Sequence, residues 1–239
     1  MPVTSRLIEY DVDGETFEGV FYVDDTVVGA RPAVIVCHAW SGRQPHEEEA
    51  AKRYAEMGYV GFAADVYGKG VRGTTIEENQ ALMTPLVEDR AKLHRRLMAA
   101  LDVVNDQPEV NEKKVAVTGY CFGGLCALDY ARVNAPILGA AAFHSVFGDP
   151  LPDQKDEIRA KVIAFQGYDD PMADPDAQRQ FTDEMTGRKA DWQLHLFGGV
   201  GHAFTNKDAD KPDMGLIYDP AADDRSWRGA TSFLKELFD

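Results

Sequence analysis

Apolar positions along this chain fall into short β-type runs and helical stripes that alternate almost from end to end. Leu7-Ile8-Glu9-Tyr10 and the run Phe17 to Tyr22 flank Asp13-Gly14, which predicts an N-terminal hairpin. Ala33 to Cys37 is a short β-branched run of the kind buried in a parallel sheet. A helix is expected over Glu47 to Met57: Pro45 precedes it, Ala50, Tyr54 and Met57 share a face, and Gly58 can end it. A strand over Val60 to Ala64 follows. The stretch from Tyr67 to Pro85, with Gly68, Gly70 and Gly73, reads as a loop at a pocket edge. A long helix from about Glu88 to Asn105 then sets Leu93, Leu97, Leu101 and Val104 on one stripe.

Four further strands are expected at Val115 to Thr118, Gly139 to Phe143, Val162 to Gln166 and Trp192 to Phe197, separated by helices. One helix opens at Asp174-Pro175, an N-cap followed by proline at the first helical position. The last, about Asp224 to Phe238, is expected to bury Trp227, Ala230, Leu234 and Leu237. Repeated β-α units of this kind predict a doubly wound, mostly parallel α/β sheet with an antiparallel hairpin at its start. The 239 residues suit one such domain, 1–239, and no repeat or low-complexity linker divides them. Ligand and catalytic sites in these sheets form at the carboxyl ends of the strands.

Composition changes this picture little. A hydrophobic share of 44% and a charged share of 27% are ordinary for a globular chain. The formal charge of −15 argues against nucleic acid and against anionic membrane surfaces as partners. No apolar run approaches the roughly 20 residues of a membrane helix. The start, Met1-Pro-Val-Thr-Ser-Arg, lacks the layout of a signal peptide. Three cysteines cannot all pair within one chain, which favours reduced thiols and a cytoplasmic location.

Chemistry concentrates at strand ends. Gly119-x-Cys121-x-Gly123 sits between a buried strand and an alanine- and leucine-containing helix, the nucleophile-elbow arrangement with sulfur in place of oxygen. A thiol at a helix N-terminus is favoured as thiolate. Cys37 and Cys126 read instead as packing residues. The base is expected at His202, in the glycine-rich loop after the last strand. His38 and His144 also end strands and are weaker rivals that would line the pocket, whereas His94 and His195 read as structural. The acid follows the Val162 to Gln166 strand in Gly167-Tyr168-Asp169-Asp170-Pro171, where either aspartate can serve. Nucleophile, acid and histidine then stand in α/β-hydrolase order. The backbone N–H groups of Phe122 and Trp40 are the expected oxyanion donors. No metal or organic cofactor is required.

Together these motifs resemble the dienelactone hydrolase family of α/β-hydrolases. The resemblance rests on His38-Ala-Trp-Ser-Gly42, Asp65-Val-Tyr-Gly68, Gly119-Tyr-Cys-Phe-Gly-Gly124, Gly167-Tyr-Asp-Asp-Pro171 and Gly201-His-Ala-Phe204. It implies an α/β-hydrolase fold, a Cys121-His202-Asp170 triad with Asp170 rather than Asp169 as the acid, and a small ester or lactone as substrate. By the same resemblance His38, Lys69, His144, Phe204 and Asn206 would fall around the substrate. Two features depart from the family. Ala39 stands where members carry a glutamate that meets the resting cysteine. Asn206 stands where they carry a carboxylate-binding arginine, with Lys69 near the place of another. The reaction type therefore carries over, and dienelactone itself does not. A second expectation, motivated by the absent glutamate, is a thiol-reactive or ligand-binding protein with little turnover.

Overall fold

The computed structural model describes residues 2–239. Two compact units divide the chain, one running up to Thr118 and one from Gly119 onward.

The first unit opens with strands β1 (Val3–Val12) and β2 (Glu15–Asp24), paired antiparallel along their whole length from Val3↔Asp24 to Val12↔Glu15. Asp13 and Gly14 close this hairpin, both at positive φ (54° and 82°), the backbone that a tight two-residue turn needs. Strand β3 (Arg31–Cys37) runs parallel to β4 (Val60–Ala63), and β4 pairs antiparallel with β2. The short apolar runs read from the sequence are these buried strands: all of β4 and all but one residue of β3 are buried. Helix α1 (Pro45–Glu56) covers them with Ala50, Ala51, Tyr54 and Ala55.

The expected loop before Pro85 is corrected here. Residues Ile76–Glu88 form helix α2, and a separate helix α3 spans Arg90–Asn105. A capping box starts α2, with the Thr75 side chain accepting from the Glu78 N–H and the Glu78 side chain reaching back. Pro85 lies in its last turn, and Asp89 caps α3 by accepting from the Lys92 N–H. Periodicity carried little signal for α2 because only Asn79 and Leu86 are buried along it. Leu93, Leu97, Leu101 and Val104 of α3 are buried as their stripe predicts. Strand β5 (Val110–Tyr120) is longer than expected and carries the chain into the second unit.

In the second unit, helix α4 (Phe122–Arg132) is buried at every residue. Strands β6 (Gly139–Phe143), β7 (Lys161–Gly167) and β8 (Trp192–Phe197) are parallel neighbours in that order. Helix α5 (Pro175–Gly187) starts at the expected cap, with Asp174 accepting from the N–H groups of Asp176 and Ala177. A short hairpin, β9 (Asp210–Lys211) and β10 (Leu216–Ile217), precedes helix α6 (Pro220–Phe238). That helix buries Ala222, Ser226, Ala230, Phe233, Leu234 and Phe238, whereas Trp227 and Leu237 reach only half-burial.

One buried ion-pair network ties α4 to α5. Arg132, fully buried, donates from Nε and Nη2 to Glu184 (3.0 and 2.7 Å), and from Nη1 to Asp129 (3.2 Å) and the Phe147 carbonyl (2.8 Å). No helix among the described residues is long and apolar enough to cross a membrane.

Candidate active site

Cys121 stands between β5 and α4 at φ 57° and ψ −116°, a conformation costly for any residue with a side chain. Packing holds it there. Its N–H donates to the Phe143 carbonyl of β6 (3.0 Å), and its carbonyl accepts from the Gly124 N–H (3.0 Å). A Cβ on Gly119 would lie 1.9 Å from the Gly123 carbonyl oxygen, and one on Gly124 would lie 2.7 Å from the Ser145 side chain. The glycines of the motif thus let strand, turn and helix approach closer than side chains allow.

Asp170 and His202 reach the same place from the ends of β7 and β8. Their loops are stitched together: Tyr168 N–H donates to the Phe197 carbonyl (2.9 Å) and Asp169 N–H to the Val200 carbonyl (3.0 Å). A Cβ on Gly167 would fall 2.3 Å from the Val200 oxygen, so glycine permits that contact. His202 is further fixed to β10, donating its N–H to the Gly215 carbonyl (2.7 Å) and accepting from the Ile217 N–H (3.2 Å). Asp170 is buried and Asp169 exposed. His202 Nδ1–H donates to Asp170 Oδ2 at 2.7 Å, which sets the tautomer of the ring and leaves Nε2 on the other side. Asp170 Oδ2 also accepts from Gln166 Nε2 (2.5 Å), and Oδ1 accepts from the Met172 N–H (2.8 Å).

His202 Nε2 is buried without a hydrogen bond of standard geometry, and the group acting on it is Cys121. The Cys121–His202 pairing is therefore one of proximity and charge rather than of an aligned bond. Burial by itself would lower the imidazole pKa. The Cys121 charge, then the Asp170 hydrogen bond, outweigh it and raise the value from 6.5 to about 10. The shift describes an imidazole that holds its proton, with Asp170 bonded to one nitrogen and Cys121 acting on the ring.

His144, at the end of β6, is the fourth strand-end residue here. Its backbone is at φ 36°, its ring meets that of His202 edge-on with centroids 5.1 Å apart, and its Nε2 bonds Thr205 Oγ1 (2.8 Å). Six non-glycine residues have positive φ among the described residues. Asp13, Asn134 and Lys189 lie at a hairpin turn and just past helix ends. The other three, Cys121, His144 and Ala203, are at or beside this cluster, so backbone strain gathers here.

The remaining expected residues have other surroundings. Phe204 is fully buried, packed edge-on against His144 and Phe197. Asn206 caps its own turn by accepting from the Asp208 N–H (3.0 Å). Three belong to the first unit. His38 Nε2 accepts from the Val66 N–H (3.0 Å), so Nδ1 carries the proton and donates to the Ala39 carbonyl (2.7 Å). Burial lowers its pKa to about 4, which keeps it neutral. Trp40 is half-buried, and its carbonyl accepts from the Tyr67 hydroxyl (3.0 Å). Lys69 is exposed and paired with Glu9 and Glu18.

Two polar residues escaped the sequence reading. Glu47 is buried in the first turn of α1, accepting from the N–H groups of Ala39 (3.2 Å) and Gln44 (3.0 Å), and burial raises its pKa to about 7. Gln166 is fully buried at the end of β7. Its signal was an amide closing the otherwise apolar run Val162-Ile-Ala-Phe. Among the described residues, no cluster of three His, Cys, Asp or Glu side chains is arranged to hold a metal ion.

Comparison with known proteins adds four relationships. The sequence pattern of the dienelactone hydrolase family matches residues 17–238. An Aquifex aeolicus protein provisionally named a carboxymethylenebutenolidase is 27% identical over 236 residues, covering 96% of this chain and 97% of that one. A crystal structure described as a dienelactone hydrolase-like promiscuous phosphotriesterase from metagenomic libraries superposes with a TM-score of 0.94 at 33% identity, covering 99% of both chains. A dienelactone hydrolase structure from Anabaena variabilis, 18% identical with a TM-score of 0.70 over 99% of both chains, shares the fold.

Proposed function

This chain belongs to the dienelactone hydrolase family and is a hydrolase of lactone or ester bonds, and from that premise we propose that it works through Cys121, His202 and Asp170. The observation that carries this reading is the His202 imidazole, bonded through Nδ1 to Asp170 and raised to a pKa of about 10 chiefly by the charge of Cys121 against the opposing effect of burial.

In the proposed reaction the Cys121 thiolate adds to the carbonyl carbon of a small ester or lactone, and the carbonyl oxygen becomes an oxyanion. The Phe122 N–H, at the first position of α4 and next to Cys121 in the chain, is assigned to that oxyanion. As the C–O bond breaks, His202 gives its proton from Nε2 to the leaving alkoxide, and a thioester remains on Cys121. The neutral imidazole then takes a proton from water, whose oxygen attacks the thioester. Breaking the C–S bond releases the acid and restores thiolate and imidazolium. Asp170 keeps the ring in the tautomer that presents Nε2 and stabilises it when charged.

A second substrate class is favoured by the metagenomic relative, whose description names phosphotriesterase activity. The same thiolate attacking a phosphotriester would expel an aryloxide, protonated by His202, and leave a phosphorylated cysteine for water to cleave.

Turnover of a panel of lactones, short aryl esters and an aryl phosphotriester by wild type and by Cys121→Ala tests both readings. Loss of activity in the folded variant on one class assigns that class to the thiol, and an unchanged rate on every class overturns the triad. A stoichiometric burst with a persistent Cys121 adduct and no further turnover identifies the protein as a thiol-reactive binder instead.

A further inference from the structure

Gln166 is buried with no exposed surface and directs its amide nitrogen onto Asp170 Oδ2 at 2.5 Å. That oxygen is the one that accepts from His202 Nδ1. The other end of the amide, Oε1, is buried without a hydrogen-bond partner. This pattern fixes the orientation of the group. Rotating the amide by half a turn would set Oε1 against a carboxylate oxygen, two acceptors with no proton between them. An amide satisfied at one end only is a poor way to fill a strand end, because the orphaned acceptor costs stability that an apolar side chain of the same size would not. What it supplies is a second donor on the oxygen that faces the histidine.

We propose that Gln166 is a positioning residue for the Asp170–His202 pair. It acts through Asp170, holding the carboxylate so that one oxygen points at the imidazole. The Met172 N–H holds the other oxygen at 2.8 Å. With both ends tied, the carboxylate plane cannot turn without breaking a bond to an ionised group, which is roughly twice as strong as a neutral one. Because Gln166 belongs to β7, between β6 and β8, the orientation of Asp170 is set by a regular strand and not by its own loop alone. This inference rests on the triad proposed above and adds to it a residue that does not touch substrate.

The titratable groups around Gln166 are few. Asp170 lies four residues on, His202 comes from the loop after β8, and His144 follows β6 with its N–H bonded to the Phe165 carbonyl next to Gln166. This allows a test that a mere packing role would fail. Gln166→Met keeps the volume and removes the donor. Gln166→Glu keeps the shape, and its character depends on pH: protonated, it donates an O–H to Asp170, and ionised, it sets two like charges at hydrogen-bond distance. Asp170→Asn serves as the comparator for the triad itself.

kcat and KM for an aryl ester are read as ratios to wild type at each pH, with circular dichroism and a urea midpoint showing each variant folded at that pH. Gln166→Met is expected to lower kcat about tenfold at all pH values with KM little changed, since a charge-assisted bond is lost. Gln166→Glu is expected to approach wild type at low pH and to fall to the level of Gln166→Met or below as pH rises. A folded Gln166→Met with wild-type kcat, or a Gln166→Glu ratio that does not change with pH, overturns the inference while Asp170→Asn still shows a large loss. If Asp170→Asn is itself as active as wild type, the triad and this inference fall together.

Discussion

Gly119→Ala tests the elbow at its tightest contact. The added Cβ would lie 1.9 Å from the Gly123 carbonyl oxygen and 2.2 Å from its carbon, where real Cβ atoms essentially never come within 3.0 Å. Backbone must therefore retreat from backbone by at least 1.1 Å, with no flexible side chain to absorb the shift. Gly123 is the second residue of α4, so what moves is the helix end that carries Cys121 and the Phe122 N–H. Overpacking of this kind costs about 1–3 kcal/mol of stability. Misplacing a reacting group by about 1 Å costs on the order of 100-fold in rate, so activity should suffer more than folding. Gly187→Ala, at the end of α5, is the control. No atom lies within 4 Å of its added Cβ, and it is expected to keep full activity and gain about 0.4–1 kcal/mol from the stiffer unfolded chain. Urea midpoints followed by tryptophan fluorescence, with initial rates on an aryl ester, measure both quantities. A Gly119→Ala protein with unchanged midpoint and unchanged kcat would refute the claim that this contact holds Cys121 in place.

Three other expectations follow from buried charges. Under the proposed triad the raised His202 pKa places the basic limb of kcat/KM at about 10, because the contribution of the imidazolium, complete below 6.5, is lost only as pH passes 10. Asp170→Asn should move the limb downward, and a limb already near 6.5 in wild type would contradict the pairing. Arg132→Met takes from buried Asp129 and Glu184 the cation they share, leaving Glu184 the longer pair with Arg188 (3.8 Å), and is expected to cost about 3–5 kcal/mol in urea denaturation; a loss under about 1 kcal/mol would show the network to be dispensable. Glu47 has a folded pKa of about 7 against an ordinary 4.5, so it favours folding below 4.5 and loses that contribution as pH rises through 7. At about 1.36 kcal/mol per pH unit, the stability difference between Glu47→Gln and wild type should shift by about 3 kcal/mol toward the variant across that window, and parallel curves would falsify the assignment.

Much of this was legible along the chain because it depends on local rules. The hairpin at Asp13-Gly14, the cap at Asp174-Pro175 and the stripe from Leu93 to Val104 are short-range signals, and the structure contains each of them. Helix α2 was not legible, since a helix that buries only two residues has no apolar stripe to reveal it. The turn at Cys121 was readable from Gly119-x-Cys121-x-Gly123, as both glycines and the cysteine lie within one turn. Family resemblance singles out Asp170 over Asp169, and burial separates the two neighbours physically: Asp170 is buried and bonded to His202, and Asp169 is exposed.

What the sequence by itself determined was the order of elements and the kinds of residue at strand ends, which periodicity and turn chemistry encode residue by residue. Only the tertiary structure decided which groups meet. Thirty-two positions separate His202 from Asp170, and their bond exists because Gly167 lets two loops close on each other. Burial, a property of the packed chain, turned Glu47 from a helix-start residue into an acid of raised pKa and aimed the Gln166 amide at Asp170. Hydrogen bonds and desolvation act over a few ångströms in space, and no spacing along the chain records them.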